Sequence, residues 1–262
     1  MERTMNISGY RFICVDDNED LLNKSYQLRY KIYCKEVKYL DPENYSQEKE
    51  IDQYDAHSIH FAAVDKDDNV LGTIRLVLDS ELGFPLEKYC PEYDNSKICF
   101  PRSQLAEISR LTVDKSFRRR KHDGMYGMAS YDEKAMDEIP EHIREKRKRP
   151  VIVIGLYKMV YMESKKRGMT HWYAAMEEKL SSALAKFSFK FDPIGPVQNY
   201  SGPVIPFLGE ISEIEDLVYR NKPELLHLMI YGLYPRYMPN LCFMLFLRNY
   251  FFINFAKLTG RI

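Results

Sequence analysis

The chain has 262 residues, 45% of them hydrophobic and 29% charged, which is enough apolar material to bury a core as one domain or one domain with an appendage. Its 38 basic and 38 acidic residues cancel, so no overall field draws it to nucleic acid and local patches decide its partners. The five cysteines (Cys14, Cys34, Cys90, Cys99, Cys242) are odd in number and lack CxxC spacing, which argues against a disulfide framework or a zinc site and suits a reducing setting.

Residues 1–9 lack the apolar segment of a signal peptide, so a cytoplasmic protein is expected. Residues 10–15 read as a short strand. The acidic run 16–20 reads as a helix cap, because carboxylates accept from the free N–H groups of a helix start. A helix is expected from Leu21 to about Glu36, with Arg29 and Tyr33 four apart on one face. Residues 37–58 read as irregular, and a connection this long within a compact domain is often functional. Residues 59–64 and 70–78 pattern as strands joined by a hairpin at 65–69, with Arg75 inside the second. Residues 81–101, with scattered prolines and aromatics, read as a loop with one helical turn.

Residues 105–113 alternate aliphatic and polar positions as a strand does, but the polar ones are Glu107, Ser109 and Arg110. Burying Glu107 or Arg110 unpaired costs on the order of several kcal/mol, so each requires a partner or a ligand. The strand feeds a loop whose residues 115–121 include five cations, Arg118, Arg119, Arg120 and Lys121 among them. Residues 122–149 are a charged insertion. Residues 151–167 form a helix closed by Gly168, 171–176 a strand, and 177–188 a short helix. Two strand-like runs surround Gly195-Pro and Gly202-Pro, and residues 211–262 read as a helical extension that grows more apolar. The order is that of an α/β or α+β domain built on one mixed central sheet flanked by helices. The expected division is residues 1–210 and 211–262.

That order, with a basic loop between the fourth strand and a long helix, resembles the GNAT acyltransferase fold. Arg29-Tyr-Lys-Ile-Tyr33, Glu50-Ile-Asp-Gln-Tyr-Asp55, Gly72-Thr-Ile-Arg-Leu76 and Glu107-Ile-Ser-Arg-Leu-Thr-Val113 are similar, in the same order, to motifs of acyl-homoserine-lactone (autoinducer) synthases. Tyr33 stands where those synthases have Phe, and the only tryptophan is Trp172. The insertion and the extension resemble N-acyl amino acid synthases and the acyltransferases associated with PEP-CTERM/exosortase systems. The resemblance implies transfer of a long-chain acyl group from acyl carrier protein, or from acyl-CoA, to the amine of an amino acid or similar small molecule. Two alternatives stay open: lactone synthesis from S-adenosylmethionine, and a non-catalytic module that binds acyl carriers or lipids.

Amine attack on a thioester requires a base, oxyanion donors and a grip on the carrier. Glu107 is the expected base, acting through a water with Arg110 beside it; a strand glutamate paired with Arg75 or Arg110 is the alternative. Glu107 and Arg110 fall on opposite faces of an ideal strand, and the bulge that the resemblance implies would correct this. Arg29, Tyr33, Asp52, Asp55, Arg75 and Ser109 are expected to shape the amine pocket, an arginine fork holding the acceptor's carboxylate; an ion-pair network anchoring residues 37–58 is the other reading. Arg118, Arg119, Arg120 and Lys121 are expected to meet the phosphate of acyl-phosphopantetheine. No metal is expected, since the histidines, His60 among them, lack ligand spacing. Phe100, Tyr157, Met159, Met162, Trp172 and Phe187 are candidate walls of an acyl groove. The apolar run 241–258 is too short and interrupted for a confident spanning helix, and is expected to pack on the core or a second subunit or to touch a membrane surface.

Overall fold

The computed structural model describes residues 4–45, 47–115, 151–200 and 202–239. The basic residues Arg118–Lys121, the insertion at 122–149 and the apolar run from 241 onward lie outside them.

Among the described residues nine strands form one mixed sheet. The first is β1 (Thr4–Ile7), joined through a Ser8-Gly9 turn, both residues at positive φ, to β2 (Tyr10–Cys14). Such a two-residue turn matches the twist of the strands it joins. Asn18 lies within the acidic run and caps α1 (Glu19–Tyr30) by accepting from the Leu21 N–H at 3.1 Å, whereas Asp16 turns away to His60. The expected helix does reach Glu36, but its last stretch, Lys31–Glu36, is π-helical. Single-turn π segments of this kind recur at functional sites.

β3 (Ser58–Val64) and β4 (Val70–Leu78) form the expected hairpin, and α2 (Pro85–Tyr89) supplies the helical turn of the loop that follows. β5 (Leu105–Val113) has the bounds read from the sequence, as does β6 (His171–Met176). Between them runs α3 (Val151–Lys166), closed by Gly168 at φ 73° with the Met169 N–H donating to Ser164 O at 2.9 Å. That left-handed closure explains the glycine. The chain continues through α4 (Glu178–Ala185), the short β7 (Asp192–Pro193) and β8 (Gln198–Asn199), β9 (Pro203–Glu210), α5 (Ile211–Asn221) and α6 (Pro223–Ile230).

Strand order is β1-β2-β3-β4-β5-β6-β9-β7, with β8 also on β9. Every pairing is antiparallel except β5 with β6. A parallel pair requires a crossover, and α3 lies within it. One face of the sheet packs on α3 through Phe12, Phe61, Ile74, Leu76 and Ile108, all at most 4% exposed, at about 2–3 kcal/mol per side chain of this size. α3 approaches closely because Gly155 faces the Phe12 ring, where a Cβ would come within 2.2 Å. Trp172 Nε1 donates to Ser164 Oγ at 2.8 Å, tying β6 to the same helix. Residues of α5 and α6, including Ile214, Val218, Leu226 and Met229, join this core. The opposite face, covered by α1 and the α2 loop, carries His60, Arg75, Glu107 and Ser109 among apolar neighbours.

Candidate active site

β5 carries a bulge. Thr73 pairs with Thr112 and Arg75 with Ser109, so Arg110 and Leu111 stand opposite the single Ile74. Arg110 has φ 52°, an unusual conformation for a long side chain and one that strongly packed surroundings must hold. The extra residue corrects the phase problem noted above: Arg110 joins the face of Ser109 and Arg75 instead of the α3 face.

There it enters a network that holds nearly every residue expected of the amine pocket. Arg29 donates from Nε to Glu50 at 2.5 Å and from Nη1 and Nη2 to Asp55 at 2.7 and 3.0 Å. Arg75 donates from Nε to Ser109 Oγ at 3.0 Å, and from Nη1 to Asp52 at 2.6 Å and Asp55 at 2.9 Å. Arg110 reaches Glu50 through Nε at 3.1 Å, Asp52 through Nη2 at 2.9 Å and the Tyr200 hydroxyl through Nη1 at 3.2 Å. Burial alone would raise the Glu50 carboxyl, but Arg110 and Arg29 hold it down at about 2. Burial opposes ionisation of Asp55 as well, and His60 and the arginines drive it far below the carboxylate range. All three guanidinium groups are engaged by carboxylates of the chain itself, so none stands free as the fork expected for an acceptor's carboxylate. Asp52 (19% exposed) and Arg110 (13%) are the members that reach solvent most readily, against 1–4% for Arg29, Arg75 and Asp55.

Glu107 stands apart from this network. It is 1% exposed, and Oε2 accepts from the Leu86 N–H at 2.8 Å. Among the described residues no ion pair joins it to Arg75 or Arg110, the pairing considered from the sequence. Burial pushes its carboxyl up to about 8, although the Leu86 N–H, Arg75 and Arg110 all act to lower it. A carboxyl held near neutrality in an apolar setting is suited to proton transfer.

The sheet opens beside it. β5 and β6 pair only through Leu105–His171, Ala106–Trp172 and Glu107–Tyr173 and then part. Between residues 108–111 and 174–177 lies a cavity of about 90 Å³. Glu107, Ser109 and Arg110 line it on one side of the sheet, and Ile108, Leu111 and Tyr157 on the other, so the slot passes through the sheet. Tyr33 borders it, its ring 5.6 Å from the Arg110 guanidinium carbon and its hydroxyl donating to Leu111 O at 3.3 Å. Tyr39 donates to Glu177 at 2.8 Å across the rim, and Tyr200 stacks on Tyr89 at 4.4 Å to wall the Arg110 side.

Of the six expected groove residues only Tyr157 lines this slot. Trp172 and Phe187 are core, Phe100 stacks on His171, and Met159 and Met162 border a separate groove of about 980 Å³ with Ile59 and Phe61. Sequence reasoning gave no place in the site to Glu50, His60 or Tyr200, and read Asp16 only as part of a helix cap. Glu50 could have been found, since it opens the quoted Glu-x-Asp run; Tyr200 sits on no motif. His60, read as structural or exposed, is buried between two carboxylates. Among the described residues no three His, Cys, Asp or Glu side chains are grouped to hold a metal ion. No described helix is long and apolar enough to cross a membrane.

Solved structures of similar fold are found at low sequence identity. A CoA-dependent acyl-homoserine lactone synthase, BjaI, in complex with SAM and isopentyl-CoA, superposes with a TM-score of 0.57 at 16% identity, covering 85% of this chain and 88% of that one. The AHL synthase LasI superposes with a TM-score of 0.55 at 17% identity, covering 78% and 89%. FeeM, an N-acyl amino acid synthase from uncultured soil microbes, is looser, with a TM-score of 0.48 at 15% identity over 79% and 94%. At these identities the likeness concerns the fold. No curated protein matches the chain by sequence. Residues 28–128, which hold every motif quoted above, match the acetyltransferase (GNAT) domain, and the chain that carries them has a GNAT-like fold.

Proposed function

We propose that the chain is an N-acyltransferase that moves an acyl group from a phosphopantetheine thioester, borne by acyl carrier protein or CoA, to the amine of an amino acid or similar small molecule. The observation that carries this reading is Glu107: a buried carboxyl raised to about 8, with one backbone donor, at the entrance of a slot that splits the sheet. In the proposed reaction an ammonium on the Asp52 side gives a proton to Glu107 through a water. The free amine attacks the thioester carbonyl, the tetrahedral oxyanion collapses, and the C–S bond breaks. Glu107 releases the first proton to solvent, takes the second amine proton by the same route and passes it to the departing thiolate. The balance is ammonium plus thioester giving amide, thiol and one proton. Backbone N–H groups at the bulge, where β6 no longer pairs with β5, are the proposed oxyanion donors. Arg110 orients Asp52 and flanks the reacting carbonyl. Arg29, Asp55, Arg75 and Ser109 build the pocket floor, and Tyr33 closes its edge. The residues Arg118–Lys121 would meet the carrier's phosphate, which makes acyl carrier protein the proposed partner.

The test is mass spectrometry of organic extracts from a bacterial host making the intact chain or Glu107→Gln. New N-acyl amines with the intact chain alone support the reading. Acyl-homoserine lactones would replace it with the lactone reaction. Equal product from both proteins removes Glu107 from the mechanism. Carrier binding without turnover toward any amine would leave a binding module.

A further inference from the structure

Arg75 Nη1 is shared between two carboxylates, 2.6 Å from Asp52 Oδ1 and 2.9 Å from Asp55 Oδ1. Asp55 Oδ1 has two further partners, Arg29 Nη1 at 2.7 Å and His60 Nε2 at 2.9 Å. The other ring nitrogen of His60, Nδ1, lies 2.7 Å from Asp16 Oδ1. A neutral imidazole has one N–H and can donate to one of them; a carboxylate on each nitrogen calls for the imidazolium. The groups facing the ring are Asp16 from the loop after β2, Asp55 from the turn before β3, and Arg75, its pairing partner on β4. α1 adds the edge of Tyr26 at 5.7 Å and, through Asp55, Arg29. With Glu50, Asp52 and Arg110 included, four carboxylates face three guanidinium groups. A protonated His60 brings the cluster to zero, and a neutral one leaves it at minus one.

We infer that His60 is a positioning residue of the amine pocket: its imidazolium, by occupying Asp55 Oδ1, holds Arg75 on Asp52, and loss of its proton frees Asp52 to take a cationic amine. The inference rests on the amine-acceptor reading above. Asp55, once it loses the imidazolium, draws more strongly on the Arg75 nitrogen already 2.9 Å away. The carboxylate given up is the one with access to solvent. Burial alone would lower the His60 ionisation, but Asp16 and Asp55 raise it above the ordinary 6.5, so the switch falls on the alkaline side of that value.

The deciding experiment uses the full chain with 15N-labelled histidine and 13C-labelled aspartate carboxyls, titrated by NMR from pH 5 upward. At pH 6 both His60 ring nitrogens carry protons, and the Asp52 carboxyl carbon shifts with the His60 midpoint. His60→Gln keeps a neutral donor, and neither it nor His60→Asn shows that step. Calorimetry with butylammonium chloride supplies the second readout. At pH 6 His60→Gln binds it at least threefold more tightly than the parent, and the parent gains the same affinity once His60 is neutral. An Asp52 carbon that ignores His60, or equal affinities at pH 6, overturns the inference. An Asp52 step with no butylammonium binding by either protein upholds the positioning of Arg75 and overturns the amine-pocket reading instead. Should both variants fail to fold, the parent titration alone decides.

Discussion

Replacing Glu107 with glutamine keeps the shape and the acceptor for the Leu86 N–H but removes the ionisable proton. In the folded chain burial raises this carboxyl from an ordinary 4.5 to about 8. Between those values the folded state holds a proton that the unfolded state has released, so stability falls as pH rises through this window and levels off above it. Each pH unit in the window is worth about 1.36 kcal/mol, which puts the full cost of ionising Glu107 near 4–5 kcal/mol. Glutamine escapes that cost. Urea unfolding of both proteins at pH 5, 7 and 9 should show the stability difference moving in favour of Glu107→Gln by about 4 kcal/mol from the lowest pH to the highest. Groups that titrate alike in both proteins cancel in this difference. A difference that stays constant from pH 5 to 9 would refute the reasoning, because the carboxyl would then ionise in the folded state as readily as in the unfolded one.

Glu50 carries the opposite sign. Its carboxyl is held at about 2, so its contribution of about 3 kcal/mol is complete above pH 4.5 and is lost as pH falls toward 2. Glu50→Gln takes one carboxylate from Arg29, which keeps Asp55, and one from Arg110, which keeps Asp52, and should cost about 3 kcal/mol at pH 7, narrowing in acid, as read by chemical unfolding across that range. Gly155→Ala drives a methyl into the Phe12 ring and should cost about 1–3 kcal/mol; the double variant with Phe12→Ala should lose less than the two single losses combined. Burial lowers the Lys158 amine to about 8, its charge lying 5.3 Å over the Tyr231 ring. Lys158→Met should therefore raise the melting temperature at pH 7, with a gain that shrinks as pH rises from about 8 through 10.5, above which lysine is neutral in both states.

β3 to β6 were legible because each is a short run rich in apolar residues bounded by turn or helix signals. β5 and β6 carry their observed bounds directly in the pattern. β1 was missed because four residues, three of them half-buried and Asn6 exposed, before a Ser-Gly turn give too short a period to read. The charged network was legible as a set of residue types, since buried arginines and carboxylates demand one another. Its wiring was not. Whether Arg110 shares a face with Arg75 depends on one extra residue in β5, and nothing in Glu107-Ile-Ser-Arg110 fixes a left-handed φ at Arg110. His60 was passed over for a related reason. Histidine between two apolar residues, Ile59 and Phe61, has no local mark of partners, and Asp16 is 44 positions away. An acyl groove was expected, but of its named walls only Tyr157 lines the slot, because the slot is made by the absence of pairing, which a linear pattern does not display.

Three residue pairs are all that join β5 to β6. In mechanical terms the sheet is two leaves, β1–β5 and β6–β9, meeting along a seam at Leu105–Glu107, with α3 bound to one leaf through its apolar face and to the other through Trp172 and Ser164. Rotation about that seam would widen or narrow the slot and would load the two hydrogen bonds that cross it, Tyr39 to Glu177 and Arg110 to Tyr200. Those bonds are therefore the clasps that fix the width of the opening beside Glu107.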